Sequence, residues 1–192
     1  MMNIGKRNKG LTLVELMAVI AISSILGALA LTLAITLSNN FSRAQKENIF
    51  QDNSRLIYSR IEDDMRGAKF IDINPSYTGG QVTIDGKTYS LPSISAKPIV
   101  TFIYKKGGDT ISCAYLLDSI NKEFYKVEAL QGLPNSTLNR ATTAFNDVKD
   151  FKIEKIVKAD GTVSNKEYKL ILEFEDNKGN SEKYESAIVT RN

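Results

Sequence analysis

The sequence predicts an α+β protein: one long N-terminal α-helix packed on an antiparallel β-sheet head. Three observations carry this. Residues 16–37 contain neither a charge nor a proline. The chain stays free of proline from there to Pro75, while apolar residues recur at helical spacing. Beyond Pro75 the pattern changes to period two, punctuated by glycine turns.

The helix comes first in the chain. At the helical rise of about 1.5 Å per residue, residues 16–37 cover the hydrocarbon thickness of a bilayer. Polar residues take over at Ser38, yet Phe50, Ile57, Ile61, Met65 and Ala68 keep one apolar face. Glu62 and Arg66 stand four apart in the favourable order for a surface pair. Gly67 and Asn74-Pro75 bracket the end. A helix over residues 11–68 would reach roughly 87 Å and needs packing along its outer half.

The head follows. Gln81–Ile84 and residues 87–91 flank Asp85-Gly86, a two-residue hairpin signal. Val100, Phe102 and Tyr104 alternate with other residues. Gly107-Gly108 turns the chain, and Ile111, Cys113, Tyr115 and Leu117 alternate again. Similar runs cover Tyr125 to Ala129, Phe151 to Ile153 and Tyr168 to Phe174, with turns at Asp160-Gly161 and residues 177–180 before a last strand over 184–190. The expectation is a meander with one polar face, its apolar face covered by the helix. Residues 131–147 lack a period and read as a loop.

Composition narrows the chemistry. The 192 residues include one cysteine, Cys113, and no histidine. Catalysis by Ser-His-Asp or Cys-His groups is excluded, as are the histidine-containing zinc sites. The net charge of +3 has a local origin: without Lys6, Arg7 and Lys9, 22 cations face 22 anions. A general electrostatic case for nucleic acid is absent. The basic cluster ahead of the apolar run predicts a cytoplasmic start and an outward C-terminus.

Three readings of the N-terminus compete. Ala28-Leu29-Ala30 fits a signal-peptide cleavage pattern, but apolar residues continue to Leu37, past a usual signal core. A plain single-span anchor is the second reading. Glu15 favours the third, because an acidic side chain in an apolar span is costly and neither alternative gains from it.

The stretch Lys9-Gly10-Leu11-Thr12-Leu13-Val14-Glu15 resembles the prepilin peptidase site of type IV pilins and type II secretion pseudopilins. The resemblance implies cleavage between Gly10 and Leu11, N-methylation of Leu11, and an assembly role for Glu15 as the fifth mature residue. Leu11 departs from the phenylalanine most common there. On this reading residues 1–10 are a removed leader and 11–37 a transmembrane and filament-core helix. Residues 38–72 continue the helix, and 73–192 form the head. Residues 58–68, the strand pair at 111–117 and 123–126, and the Arg191-Asn192 ending are similar to W-class minor pilins and J-type pseudopilins.

The implied function is a structural subunit of a type IV pilus or related filament, a minor pilin acting in initiation or at the tip. Alternatives are a main repeating pilin, a secretion or competence pseudopilin, and a membrane-anchored adhesin-like binding module. An enzyme domain on an anchor is disfavoured. The implied partners are prepilin peptidase, other pilin subunits through the N-terminal helix, the inner or cytoplasmic membrane, and the pilus assembly platform. No cofactor, metal or catalytic residue is expected. The pilins of this family that bend at a membrane proline differ from this chain, for which a straighter helix is expected.

Other clusters read blandly. Glu62, Asp63 and Asp64 point in different directions on a helix and suggest a solvated face with local salt pairs. Residues 175–180 are oxygen-rich, but Lys178 interrupts them and the alternating spacing of a calcium loop is missing, so a plain turn is expected. Lys149, Lys152, Lys155 and Lys158 are interleaved with Asp150, Glu154 and Asp160, which speaks against DNA binding. Cys113 is expected as a buried thiol.

Overall fold

A computed structural model describes residues 12–130 and 138–190. Its architecture is α+β: a long N-terminal apolar helix, packed with antiparallel sheets. The helix α1 runs Leu13–Gly67. Two compact units divide the chain, residues 1–47 and 48–192.

In the first unit, α1 is exposed through residue 45. Leu16, Ile20, Leu26, Leu31 and Leu37 are each more than half exposed. Three hydroxyls on this apolar rod bond to its own backbone. Ser24 donates to the Ile20 carbonyl at 2.8 Å, Thr32 to Ala28 and Thr36 to Thr32 at 2.9 Å. Such back-bonding lets Ser and Thr sit in an apolar helix without an unsatisfied group.

In the second unit, α1 contributes its last turns to a β-rich core. Phe50, Ile57, Ile61, Met65 and Ala68 are all buried, as their spacing predicts. Ser54 shares their stripe and is also buried; its hydroxyl donates to the Gln51 carbonyl at 2.8 Å, so burial leaves it satisfied. On the opposite side of the helix Arg66 meets Glu62 at 2.6 Å.

Eleven strands form among the described residues. One sheet holds β1 (Phe70–Ile73), β5 (Ala96–Lys106), β6 (Asp109–Asp118), β7 (Glu123–Leu130) and β8 (Asn139–Phe145), in that spatial order. A second holds β11 (Ser181–Val189), β10 (Val163–Glu175) and β9 (Val148–Val157). A third, small sheet holds β2 (Tyr77–Thr78), β3 (Gln81–Ile84) and β4 (Lys87–Ser90). Every pairing between them is antiparallel. The turn between β3 and β4 places both Asp85 and Gly86 at positive φ, 49° and 72°. This is the backbone a two-residue hairpin demands, and Asp-Gly supplies it at low steric cost.

The structure corrects three expectations. The head is three sheets, not one meander. The central strands have no polar face: Val100 to Ile103 of β5 and Ile111 to Asp118 of β6 are buried on both sides. One side meets the helix and the β9–β10 sheet, in a core that includes Ile61, Phe102, Tyr115, Phe151 and Leu172. The other side is closed by the β3–β4 hairpin, whose Val82, Ile84 and Tyr89 pack with Ile103, Leu116, Tyr125 and Val127. Third, residues 139–145 are the strand β8 rather than loop; Phe145 pairs with Phe124 and Ala144 with Tyr125 in the β7 register. A strand at a sheet edge is held through its main chain, so a polar run such as Asn-Arg-Ala-Thr-Thr-Ala forms one without apolar alternation. The rest of that expected loop, 131–137, lies outside the described residues.

Asp118 ties two loops together at the end of β6. Its carboxylate accepts from the Ser95 hydroxyl at 2.8 Å, the Asn121 side chain at 2.9 Å, and the backbone N–H of Ile120 at 3.1 Å and of Asn121 at 3.2 Å. Burial pushes its pKa up, but these bonds outweigh that and hold it below the ordinary aspartate value. Glu128 follows the same logic: burial opposes its charge, and bonds from Lys126 and Tyr104 prevail. A carboxyl with a lowered folded pKa binds fewer protons than its unfolded form. Its contribution to stability is therefore present above the unfolded pKa and lost as pH falls through the folded one. The head is expected to melt at a constant temperature down to about pH 5 and at falling temperature below about pH 4. Circular dichroism of the full chain in micelles would check this, and a melting temperature that rose on acidification would contradict it.

Candidate functional site

The start of α1 is built as a reciprocal cap. Thr12 stands just before the helix, and its hydroxyl accepts from the Glu15 N–H at 3.3 Å. Glu15 returns the contact: its Oε2 accepts from the Thr12 N–H at 2.9 Å and from the Thr12 hydroxyl at 2.8 Å. Thr-x-x-Glu is the capping-box pattern, which satisfies backbone donors that a helix start leaves bare. It is visible in the sequence as Thr12-Leu13-Val14-Glu15, but the expectation for Glu15 rests on its cost in a membrane and misses its local partner. All these bonds to the Glu15 side chain fall on Oε2, and among the described residues no donor reaches Oε1. Gly10 and Leu11 lie outside the described residues.

Among the described residues Glu15 is exposed, and its side chain bonds to Thr12. The residues after it form an exposed apolar surface that no described part of the chain covers. Among the described residues, α1 is the one helix long and apolar enough to cross a membrane. Exposing so many large apolar side chains to water is unfavourable, so lipid or other helices must cover them.

At its other end α1 is anchored by Asp64. The Tyr115 hydroxyl donates to its Oδ2 at 2.7 Å, and Lys126 lies 3.0 Å from the same oxygen. Lys126 also pairs with Glu128 at 2.6 Å and stands 5.2 Å from the centre of the Tyr104 ring. This corrects the reading of Glu62, Asp63 and Asp64 as a solvated face. Glu62 fits it, while Asp64 reaches across to β6 and β7. Charges two apart on a helix face different ways, and the sequence alone does not reveal that one of them meets a strand lysine 62 residues later.

The remaining clusters have structural partners. At residues 175–180, Glu175 pairs with Lys122 and Lys149, each at 2.8 Å. Asp176 accepts from the N–H groups of Lys178 at 2.8 Å and Asn180 at 3.0 Å, closing the turn. Lys149 also meets Glu173 at 2.9 Å, and Lys152 meets Asp150 at 2.8 Å. Cys113 is fully buried, and burial pushes its thiol well above the ordinary cysteine range, so the nucleophilic thiolate is suppressed.

Comparison with known proteins bears on the N-terminus alone. Residues 5–31 match the family described as the prokaryotic N-terminal methylation motif. No curated protein and no solved structure matches the chain. The matched segment spans the capping box and the first turns of the exposed helix. Residues 5–31 are thus similar to the prokaryotic N-terminal methylation motif, and with the long apolar helix that begins within them this likeness is consistent with a type IV pilin or pseudopilin and supports a pilin-like structural subunit.

Proposed function

We propose that the chain is a minor pilin or pseudopilin that helps to initiate or cap a filament. One observation carries the assembly reading: an apolar helix surface exposed along residues 13–37, with a single carboxylate fixed at its start. Such a surface is complete only inside a bilayer or among other helices of its kind. The minor role rests on the likeness of residues 58–68 and of the β6–β7 pair to minor pilins and J-type pseudopilins.

In this reading residues 1–10 are a leader removed by prepilin peptidase, and Leu11 becomes a methylated N-terminus. Residues 11–37 span the cytoplasmic or inner membrane before assembly and then enter a bundle of pilin helices on the assembly platform. Residues 38–72 carry the helix onward, and 73–192 form the head outside the cytoplasm. Lys6, Arg7 and Lys9 support that orientation. Mass spectrometry of protein from its native host is expected to find a mature chain starting at Leu11 with one added methyl group. A start at Leu31 would replace this reading with a signal peptide.

A further inference from the structure

A cleft of about 400 Å³ opens beside β9, between that strand and the start of β5. Its floor is the flank of the core that includes Phe102 and Tyr115. Ile99, Leu117, Phe151 and Ile153 line it, and all four are buried members of that core. The wall on the β5 side follows from an irregularity. The β5–β6 register slips between Pro98 and Val100, and the Ile99 carbonyl accepts from the Asn74 N–H at 3.0 Å. Asn74 itself stands at a φ of 54°, a conformation that asparagine adopts more readily than most residues.

The polar groups of the cleft are unevenly engaged. Lys97 is the register partner of Leu117, and directly opposed residues of two strands share a face of the sheet. The Lys97 side chain therefore rises beside the apolar floor, from the same face. Asn74 and Ser119 complete that rim. Among the described residues no acceptor takes a bond from the side chains of Lys97, Asn74 or Ser119. The other two lysines of the cleft are neutralised: Lys149 by Glu173 and Glu175, Lys152 by Asp150. Glu154 keeps the β9 lip acidic, so an anion entering the cleft seats at the Lys97 wall.

We propose that this cleft binds a small apolar carboxylate. Its hydrocarbon or aromatic body lies on the floor, and its one carboxylate meets Lys97, with Asn74 and Ser119 as further donors. An apolar cavity with a few convergent polar groups is the usual form of a small-molecule site. At the packing density of protein interiors, 400 Å³ admits a molecule of about ten to fifteen heavy atoms. Such a compact ligand offers its body and its charge to one face together. An extended peptide strand offers successive side chains to two faces and cannot match the arrangement as well. A bare inorganic anion would leave the apolar floor uncovered. None of the residues that line the cleft belongs to α1, so the proposal is independent of how the N-terminal helix assembles.

The test titrates the full chain in detergent micelles with phenylbutyrate, an apolar carboxylate of the required size. Its amide and phenylbutylamine serve as neutral and cationic counterparts with the same body. Backbone amide shifts are followed by heteronuclear NMR. Saturable shifts are expected at residues 97–99, 117–119 and 151–153, with the acid binding more tightly than the amide or the amine. Lys97→Met should weaken the acid about fivefold, the size of an ion pair at an accessible site, and leave the amide unchanged. Ser119→Trp, at an exposed position between β6 and β7, should fill the cleft and abolish binding of the acid. Both changes are on the surface, and an unchanged melting temperature of the head should confirm that the variants fold. The proposal is overturned by no saturation up to about 10 mM, by equal affinity for acid, amide and amine, or by indifference to either variant. Shifts confined to residues 13–37 would mean partition into the micelle and would overturn it as well.

Discussion

Phe124→Ala is expected to cost the head about 3–5 kcal/mol, the range for truncating a buried phenylalanine. The ring is fully buried in β7 and joins two sheets. It lies 5.6 Å from Tyr115 of β6 in near-parallel stacking, and 4.8 Å from Phe151 of β9 at a tilt of 56°. Tyr115 in turn meets Phe102 edge-on at 5.6 Å. Removing Phe124 cuts this chain of rings at the point where the five-stranded sheet meets the β9–β10–β11 sheet. Domain stability is of order 5–15 kcal/mol, so the loss removes a large share of it. Phe124→Leu keeps most of the volume and should cost well under half as much. Urea unfolding of the full chain in micelles, followed by tyrosine circular dichroism, measures both. A loss below about 1 kcal/mol for the alanine variant would show that the sheets are held together elsewhere.

A second aromatic contact fixes the helix. Phe50 of α1 stacks on Phe174 of β10 with centroids 4.9 Å apart and planes 9° from parallel, and Phe174 meets Tyr184 edge-on at 6.0 Å. The Tyr58 hydroxyl donates to the Tyr184 carbonyl at 2.7 Å. Phe50 is thus the first residue of the helix to enter a core, and Met65 the last. The order is visible in the sequence because helical period and apolar character coincide at 50, 57, 61 and 65. Ser54 shows the limit of that signal: a small hydroxyl that bonds to its own helix is as buried as its neighbours, and polarity alone places it outside.

The head was legible in its turns and less so in its layers. Asp85-Gly86, Gly107-Gly108 and Asp160-Gly161 mark real reversals, since each places a residue at positive φ. The second core escaped because Thr101 and Ser112 interrupt the apolar runs of β5 and β6, which then read as half-solvated strands. Both residues are fully buried. The Ser112 hydroxyl lies 3.2 Å from that of Tyr89 in the hairpin that covers this face. The partner that makes Ser112 tolerable inside is 23 residues away in the chain, and local periodicity carries no trace of it. Asp64 and Lys126 were hidden for the same reason.

Glu15→Ala is expected to abolish or sharply reduce incorporation into filaments while leaving the head intact. The hypothesis starts from a carboxylate at the edge of an apolar span, where an unpaired charge is costly. Its local bonds to Thr12 use Oε2. On the proposed cleavage after Gly10, a neighbouring subunit would present a positive amine at Leu11, and the Thr12 bonds leave Oε1 to accept from it. Pairing relieves both charges, whereas a buried amine left alone costs on the order of 3–5 kcal/mol, enough to lower incorporation more than a hundredfold. Loss of the cap itself is worth only about 1 kcal/mol. Glu15→Gln separates the two effects. The amide keeps an oxygen for the Thr12 bonds but no charge for the amine, so it should fail as alanine does. Recovery of partner pilins with the purified variant, together with filament counts, reads the outcome. Normal assembly by Glu15→Gln would reduce Glu15 to a helix cap, and normal assembly by Glu15→Ala would remove it from assembly altogether.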